Sequence, residues 1–213
     1  EEKKTDAPSR MSIDRVFSLK GFGTIVTGTL IEGKISVDDE MTIYPSEKKV
    51  KVRNLQVHGC DVKTAYAGQR TAINLSNIKV SEIQRGDVIA QTGSVEESMM
   101  IDVNISLVEH CKKSLKHWDR IRIFHGTKQI LCRIVPLNED EIQYGKSGYA
   151  QLRLEEKIVA KKGDRFIIRS YSPMDTIGGG VIIDTAPKKH KIYDESVIEA
   201  LKIKEKGELK DIL

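Results

Sequence analysis

Gly21, Gly23 and Gly28 lie in the run IDRVFSLKGFGTIVTGTL at residues 13–30, with the spacings that phosphate-binding loops use. A Walker loop requires G-x-x-x-x-G followed by lysine and a hydroxyl residue. Gly23 and Gly28 have that separation, but Thr29 and Leu30 come next, so no lysine reaches a phosphate. A dinucleotide-binding turn opens a helix, whereas Gly23 is followed by the largely β-branched series Thr24-Ile25-Val26-Thr27. The run reads as a strand, a tight turn and a second strand, with glycine supplying the positive φ of the turn. A second run, Gly178-Gly179-Gly180, could cradle an anion with its backbone N–H groups. Val181-Ile182-Ile183 follow it, so a bulge or a close crossing of backbones is expected instead.

Metal and nucleophile chemistry find less support. Cys60, Cys111 and Cys132 are an odd set with no CxxC pair, which suits a reducing cytoplasmic compartment better than a disulfide framework. The histidines near them, His58 and His110, and the separate His125 match no common zinc spacing, so no metal site is assigned. No residue stands in a nucleophile–base pattern, and no catalytic residue is assigned. Lys112, Lys113 and Lys116, near Trp118, are candidates for contacts to an RNA backbone, against the plainer reading of a solvated loop. Pro187-Lys188-Lys189-His190-Lys191 reads as a basic linker.

The composition sets bounds on these readings. A chain of 213 residues makes one large or two small domains, and its net charge of +4 permits an anionic partner without requiring one. Only 5% of the residues are aromatic, which argues against base stacking as the main mode of binding. No apolar run approaches a membrane span and no signal peptide is present, so no membrane partner is expected.

These residues need a scaffold, and the periodicity supplies one. Residues 1–10 read as a linker. Short alternating strands follow through residues 11–93, with a slip near Asn54 that suggests a bulge and a single helical turn at Val80-Ser81-Glu82-Ile83. A second strand series fills residues 98–186. The two series echo one another: Gly68 leads through Ala72 and Ile73 to Gly86-Asp87, and Gly148 leads through Ala150 and Leu152 to Gly163-Asp164. The fold expected is mainly β, two antiparallel barrels in tandem. Residues 187–213 then turn helical. Asp194 can cap a helix carrying Val197, Ile198 and Leu201, with Gly207 near its end and a further helix beginning at Glu208. The chain opens on Glu1 rather than methionine and stops at Leu213 within a helical pattern, as an internal segment of a longer protein would.

Several motifs carry a resemblance. Ile13-Asp14-Arg15-Val16-Phe17, Lys20-Gly21-Phe22-Gly23 through Gly28-Thr29, Val57-His58-Gly59, Ala67-Gly68-Gln69-Arg70 and Gln84-Arg85-Gly86-Asp87 resemble the second domain of translational GTPases, and most closely that of the selenocysteine-specific elongation factors. Phe124-His125-Gly126-Thr127 and Arg169-Ser170-Tyr171-Ser172-Pro173 with Thr176 through Gly180 extend the likeness across the second barrel. The resemblance implies barrels of the translational-GTPase type, with residues 1–10 leading from a missing GTPase domain and residues 187–213 opening a winged-helix domain. It implies delivery of selenocysteinyl-tRNA to a ribosome paused at a recoded stop codon, with an mRNA element read by missing C-terminal domains. GTP and Mg would belong to the missing domain, and no cofactor is implied in these residues. The segment would not be an enzyme, although its parent would be a GTPase. The resemblance also places the aminoacyl end on the first barrel, near Asp14, Arg15 and Arg70. The two arginines would attract the selenolate and Asp14 would orient an arginine or the amino group. Adjacent residues of a regular strand point to opposite faces, so Asp14 and Arg15 share a site only where the strand is irregular. Two other readings stand beside this one: the equivalent fragment of another, elongation factor Tu-like GTPase, and a structural scaffold.

Overall fold

The computed structural model describes residues 5–210. Contacts divide the chain into two compact units, with the boundary in the main chain between Glu96 and Glu97. The first holds β1 (Arg10–Leu19), β2 (Gly23–Glu32), β3 (Lys34–Ser36), β4 (Glu40–Tyr44), β5 (Lys48–Val57), β6 (Cys60–Val62), β7 (Thr64–Tyr66), β8 (Arg70–Ser76) and β9 (Val88–Gln91). Strands β4, β9, β1, β2, β8 and β5 pair in that order, and β5 returns to β4 to close an antiparallel barrel. β6 adds to β5, and β3 with β7 forms a small separate ribbon.

Alternation builds the barrel. Met11, Ile13, Val26, Leu30, Ile43, Val50, Val52, Leu55, Ile73 and Ile89 all point inward and are buried. β1 and β2 meet in the expected hairpin, where Gly21 and Gly23 adopt φ of 85° and 86° and the Phe22 N–H donates to the Leu19 carbonyl at 3.0 Å. Gly28 lies inside β2, opposite Ile13. A Cβ there would stand 2.2 Å from the Ser12 carbonyl oxygen and 2.9 Å from Met11 Cγ. The backbone cannot yield, so Gly28→Ala is expected to cost about 3 kcal/mol, read as a lower urea midpoint. The slip expected near Asn54 is a register shift between Val52 and Asn54, and Val80–Glu82 forms one 3-10 turn. Arg10, assigned from the sequence to a linker, begins β1; it is 3% exposed and its Nε donates to Glu32 at 2.8 Å.

The second unit holds β10 (Glu97–Leu107), β11 (Leu115–Lys116), β12 (Arg120–His125), β13 (Lys128–Pro136), β14 (Glu141–Ile142), β15 (Ser147–Val159), β16 (Arg165–Ser170), β17 (Thr176–Asp184) and α1 (Glu195–Lys210). β10, β15, β13, β12, β16 and β17 close a second barrel around Ile101, Val103, Ile121, Ile123, Cys132, Leu152, Phe166 and Ile168. β11 and β14 form a ribbon, as β3 and β7 do in the first barrel. The glycine run is part of β17 itself. A Cβ on Gly178 would meet the Ser106 carbonyl at 2.3 Å, and one on Gly180 would meet the Asn104 carbonyl at 2.5 Å. The expected close crossing of backbones is thus realised within the sheet, and the run forms no anion cradle.

The internal echo extends to individual hydrogen bonds. Asp87 accepts the Gln84 N–H through its carboxylate at 2.8 Å and returns its own N–H to the Gln84 carbonyl at 3.1 Å. Asp164 does the same with Lys161, at 2.9 Å and 3.1 Å. Gly86 and Gly163 take the positive-φ position in each turn.

Beyond β17 the chain crosses the outside of its own barrel. The Gln151 amide donates to Asp102 at 2.8 Å and to the Lys188 carbonyl at 2.9 Å, and His190 Nε2 lies 2.6 Å from Asp102. Asp194 opens α1 as expected, accepting the Ser196 N–H through its carboxylate and the Val197 and Ile198 N–H groups through its carbonyl. The helix then differs from expectation. It runs through Gly207 to Lys210 without a break, so Glu208 continues it rather than starting another. Residues 211–213 lie outside the described residues. Ile198 and Leu201 pack on Val135, Leu137 and Ile183 of the barrel wall, and Glu205 accepts from Asn104 at 2.7 Å and Tyr149 at 2.6 Å. That seat is small. Leu201→Ala is expected to cost about 2–3 kcal/mol and to lower the thermal midpoint of the helical circular-dichroism signal while the sheet signal of the second barrel persists.

Candidate functional site

The first barrel gathers two of the three residues singled out there into one contact. After a first register shift between Arg10 and Met11, β1 pairs regularly with β2 from Met11 opposite Leu30 to Ile13 opposite Gly28, then resumes at Arg15 opposite Thr27, leaving Asp14 as the extra residue of a bulge. A bulge re-aims a side chain that regular alternation would send elsewhere. Arg70, the first residue of β8, lies opposite Thr29 on β2 and reaches back to the bulge. Its Nη1 and Nη2 donate to the two Asp14 oxygens at 2.5 and 3.1 Å, and the Thr27 hydroxyl adds a third bond at 2.7 Å. Burial pushes the Asp14 carboxyl up. The Arg70 and Thr27 hydrogen bonds and the charges of Arg70 and Arg15 outweigh it, and the carboxyl is held below its ordinary value. A depressed carboxyl keeps its ion pair at neutral pH and loses it only when the pH falls through the lowered value.

Arg15 stands in the same electrostatic neighbourhood, lowering Asp14, yet among the described residues it has no hydrogen-bond or ion-pair partner. Arg70 lines a shallow cavity of about 210 Å³ with Thr27, Gln56, His58, Gly59, Thr71 and Ala72; Arg15 is not among its lining residues. His58 sits at the tip of the β5–β6 turn with φ of 52°, followed by Gly59 at 79°. The unit therefore offers a fixed guanidinium at the edge of a hollow, with a second, unpaired one close to the same carboxylate.

The second barrel shows a feature that reading one strand at a time misses. Arg122 of β12 stands directly opposite Arg169 of β16, and Arg133 of β13 directly opposite Arg153 of β15. These four strands are consecutive around the barrel. Like charges set directly opposite one another destabilise a sheet. Among the described residues the buried Nε atoms of Arg122, Arg153 and Arg169 have no hydrogen-bond partner, and burial lowers the Arg153 guanidinium despite the pull of Asp102. The guanidiniums of Arg120 and Arg122 lie 4.9 and 5.1 Å from the centre of the Tyr171 ring, and Arg169 lies 5.7 Å from that of Phe124. Arg120 is further held by a two-pronged bond to Glu155 at 2.7 and 2.5 Å. Among the described residues, no carboxylate forms an ion pair with Arg122, Arg133, Arg153 or Arg169; Arg133 and Arg169 instead donate to the carbonyls of Trp118 and Met174.

The lysines singled out earlier lie elsewhere on the same unit. Lys112 ends a 3-10 turn with φ of 45°. Lys113 borders a cleft of about 540 Å³ with His110, Cys111, Ser170, Pro173, Asp175, Thr176 and Ile177. Lys116, on β11, is 3.7 Å from Glu141 of β14. The three cysteines lie in different settings: Cys132 is buried and its thiol is pushed up to about 12, Cys111 borders the cleft and donates to the Thr176 carbonyl, and Cys60 is exposed at the start of β6.

Residues 102–189 match the family model described as the selenocysteine-specific elongation factor beta-barrel domain, and residues 23–90 match that of elongation factor Tu domain 2. A selenocysteine-specific elongation factor from Desulfomicrobium baculatum is 38% identical over 188 residues, covering 88% of this chain and 30% of that protein. Over the residues it spans, the chain is similar to the selenocysteine-specific elongation factors. The family's factor from Methanocaldococcus jannaschii is 30% identical, covering 88% of this chain and 47% of that protein. Among solved structures, translation elongation factor SelB from Methanococcus maripaludis in its apo form superposes with a TM-score of 0.78 at 26% identity, over 87% of this chain and 44% of that one. A bacterial selenocysteine-specific elongation factor superposes with a TM-score of 0.79 at 26% identity, over 93% of this chain and 32% of that one. The chain thus spans between about a third and a half of the selenocysteine-specific factors it matches.

Proposed function

We propose that these barrels hold selenocysteinyl-tRNA, the amino acid on the first and the phosphate backbone on the second, as part of a cytoplasmic elongation factor acting at recoded stop codons. The observation that carries the reading is the Asp14–Arg70 contact at the edge of the Thr27–His58 cavity. A selenol is a stronger acid than a thiol or hydroxyl, so selenocysteine is largely anionic at neutral pH. Asp14, Arg15 and Arg70 together carry one net positive charge, from two cations and one anion. One selenolate neutralises it. A serine hydroxyl does not, and leaves a cation without its counter-ion, which discriminates against the wrong ester through an unmet charge. Asp14 acts here by holding the guanidinium of Arg70 in one plane.

The arginine wall supplies the second contact. Guanidiniums bond phosphates in a forked, two-pronged geometry and stack on rings, which suits a nucleic-acid backbone better than lysine does. It takes the role that sequence reasoning gave to Lys112, Lys113 and Lys116, whose part becomes secondary. The ribosome and an mRNA element are partners of the whole factor. GTP and Mg would belong to a GTPase domain outside these residues. Filter binding of selenocysteinyl- and seryl-tRNA to the 213-residue chain over a range of salt tests the proposal. Tighter binding of the selenocysteinyl form, with affinity falling as salt rises, is expected; equal binding of the two esters contradicts it.

A further inference from the structure

The ribbon turn that leads into each barrel's next strand is built twice to one pattern. In the first barrel, Ser36 donates its N–H to the Asp39 carboxylate at 2.7 Å, Asp39 returns its N–H to the Ser36 carbonyl at 3.2 Å, and Asp38 donates to the Val52 carbonyl at 2.9 Å. In the second barrel, Lys116 donates to the Asp119 carboxylate at 2.8 Å, Asp119 returns to Lys116 at 3.1 Å, and Trp118 donates to the Ile134 carbonyl at 2.7 Å. The third residue of both turns is left-handed, with φ of 74° at Asp38 and 72° at Trp118. Aspartate tolerates that conformation, whereas a bulky side chain there is an outlier.

The strain buys no packing. Trp118 is 52% exposed, and among the described residues its indole N–H has no partner. Tyr193, held at φ of 62°, differs in that its hydroxyl is bonded to Asp140. His117 stacks on the Trp118 ring, with centroids 5.8 Å apart and planes 28° from parallel, and is exposed as well. Arg133 of the arginine wall donates to the Trp118 carbonyl at 3.1 Å, so the turn that carries the rings abuts the basic strands. A strained, exposed ring pair next to cations that suit phosphates has the makeup of a stacking platform.

We propose that Trp118, backed by His117, stacks an unpaired nucleobase of an RNA whose backbone lies on the arginine wall. The inference rests on the RNA-binding reading of the second barrel. It requires a base free of its own helix, because the face of a paired base is covered by its neighbours. Trp118 is the sole tryptophan in the chain, so its fluorescence reports this one site.

The test titrates the 213-residue chain with two RNA hairpins of the same stem, one fully paired and one carrying a single-nucleotide bulge, and reads tryptophan fluorescence and the anisotropy of a label on the RNA. The bulged hairpin is expected to quench Trp118 and to bind more tightly than the paired one. Trp118→Ala is expected to weaken bulged-hairpin binding by roughly 5- to 150-fold, the range that one stacked base spans, and to leave the paired hairpin within about twofold. Trp118→Asn, which suits the left-handed backbone, is expected to lose the same binding while keeping the fold. RNA binding without quenching, and unchanged in both variants, overturns the platform and leaves the RNA reading standing. Binding of neither hairpin overturns both.

Discussion

Replacing Arg70 by alanine is expected to reduce the preference for selenocysteinyl- over seryl-tRNA by on the order of 10-fold or more, with little change in the affinity for the seryl form. The size follows from the roughly 1.5–3 kcal/mol that a hydrogen bond to a charged group is worth. The split between the two esters follows from the charge balance, because only the selenolate uses the cation that the variant removes. Arg70→Ala also frees Asp14, whose carboxylate keeps the Thr27 hydroxyl as its remaining bonded partner. An approaching selenolate would meet a negative charge, so the loss should exceed that of Arg15→Ala, which removes a cation and leaves the Asp14–Arg70 pair in place. Asp14→Asn is the informative third variant. It frees Arg70 from its anchor and raises the net charge of the group by one unit, so both esters should bind with altered strength while the preference falls less than in Arg70→Ala. Competition between the two charged tRNAs on each variant reads all three outcomes.

The double variant Arg122→Ala/Arg169→Ala is expected to lower RNA affinity roughly 10- to 100-fold at low salt and to reduce the slope of log affinity against log salt by about 2, one counterion for each phosphate that is no longer neutralised. Its effect on folding should have the opposite sign. These two residues face each other across β12 and β16, and the Nε atom of each is buried with no hydrogen-bond partner among the described residues. Removing them relieves repulsion and desolvation, so the urea midpoint should hold or rise. A surface kept only for structure would respond the other way, with stability falling and RNA binding unmoved. Arg120→Ala should behave differently, because Arg120 is already neutralised by Glu155 and serves to hold Tyr171 from one side.

The barrels were legible because a strand announces itself locally. Alternation of apolar residues, glycine turns and the slip near Asn54 all lie within a few residues, and each appears in the fold. The paired Gly-Asp turns were visible for the same reason. What escaped was whatever depends on partners distant in the chain. Asp14 and Arg15 were a puzzle in sequence because regular strands send neighbours apart. The bulge that resolves part of it lies in how β1 meets β2, and no residue type marks it. Arg70 is 56 positions from Asp14, and only the β2–β8 pairing brings them together. The arginine wall was hidden the same way: Arg122 and Arg169 each look like the exposed half of an ordinary strand, and their opposition exists only in the register of β12 with β16. The helix was placed by its cap and its apolar residues, but its end was misjudged at Gly207. A glycine costs a helix only about 1 kcal/mol, and the bonds that Lys204 and Glu205 make to the barrel lie just before it.

We infer that a fixed cation on the first barrel selects an anionic side chain. It is tested most directly by measuring the ratio of affinities for selenocysteinyl- and seryl-tRNA on the same tRNA body as the pH is lowered from neutral. Asp14, held below the ordinary carboxylate range, stays ionised and keeps Arg70 in place, so the ratio should fall toward one as the selenol takes up its proton, while the affinity for seryl-tRNA changes far less. A ratio that is constant through that range, or equal to one at neutral pH, would contradict it.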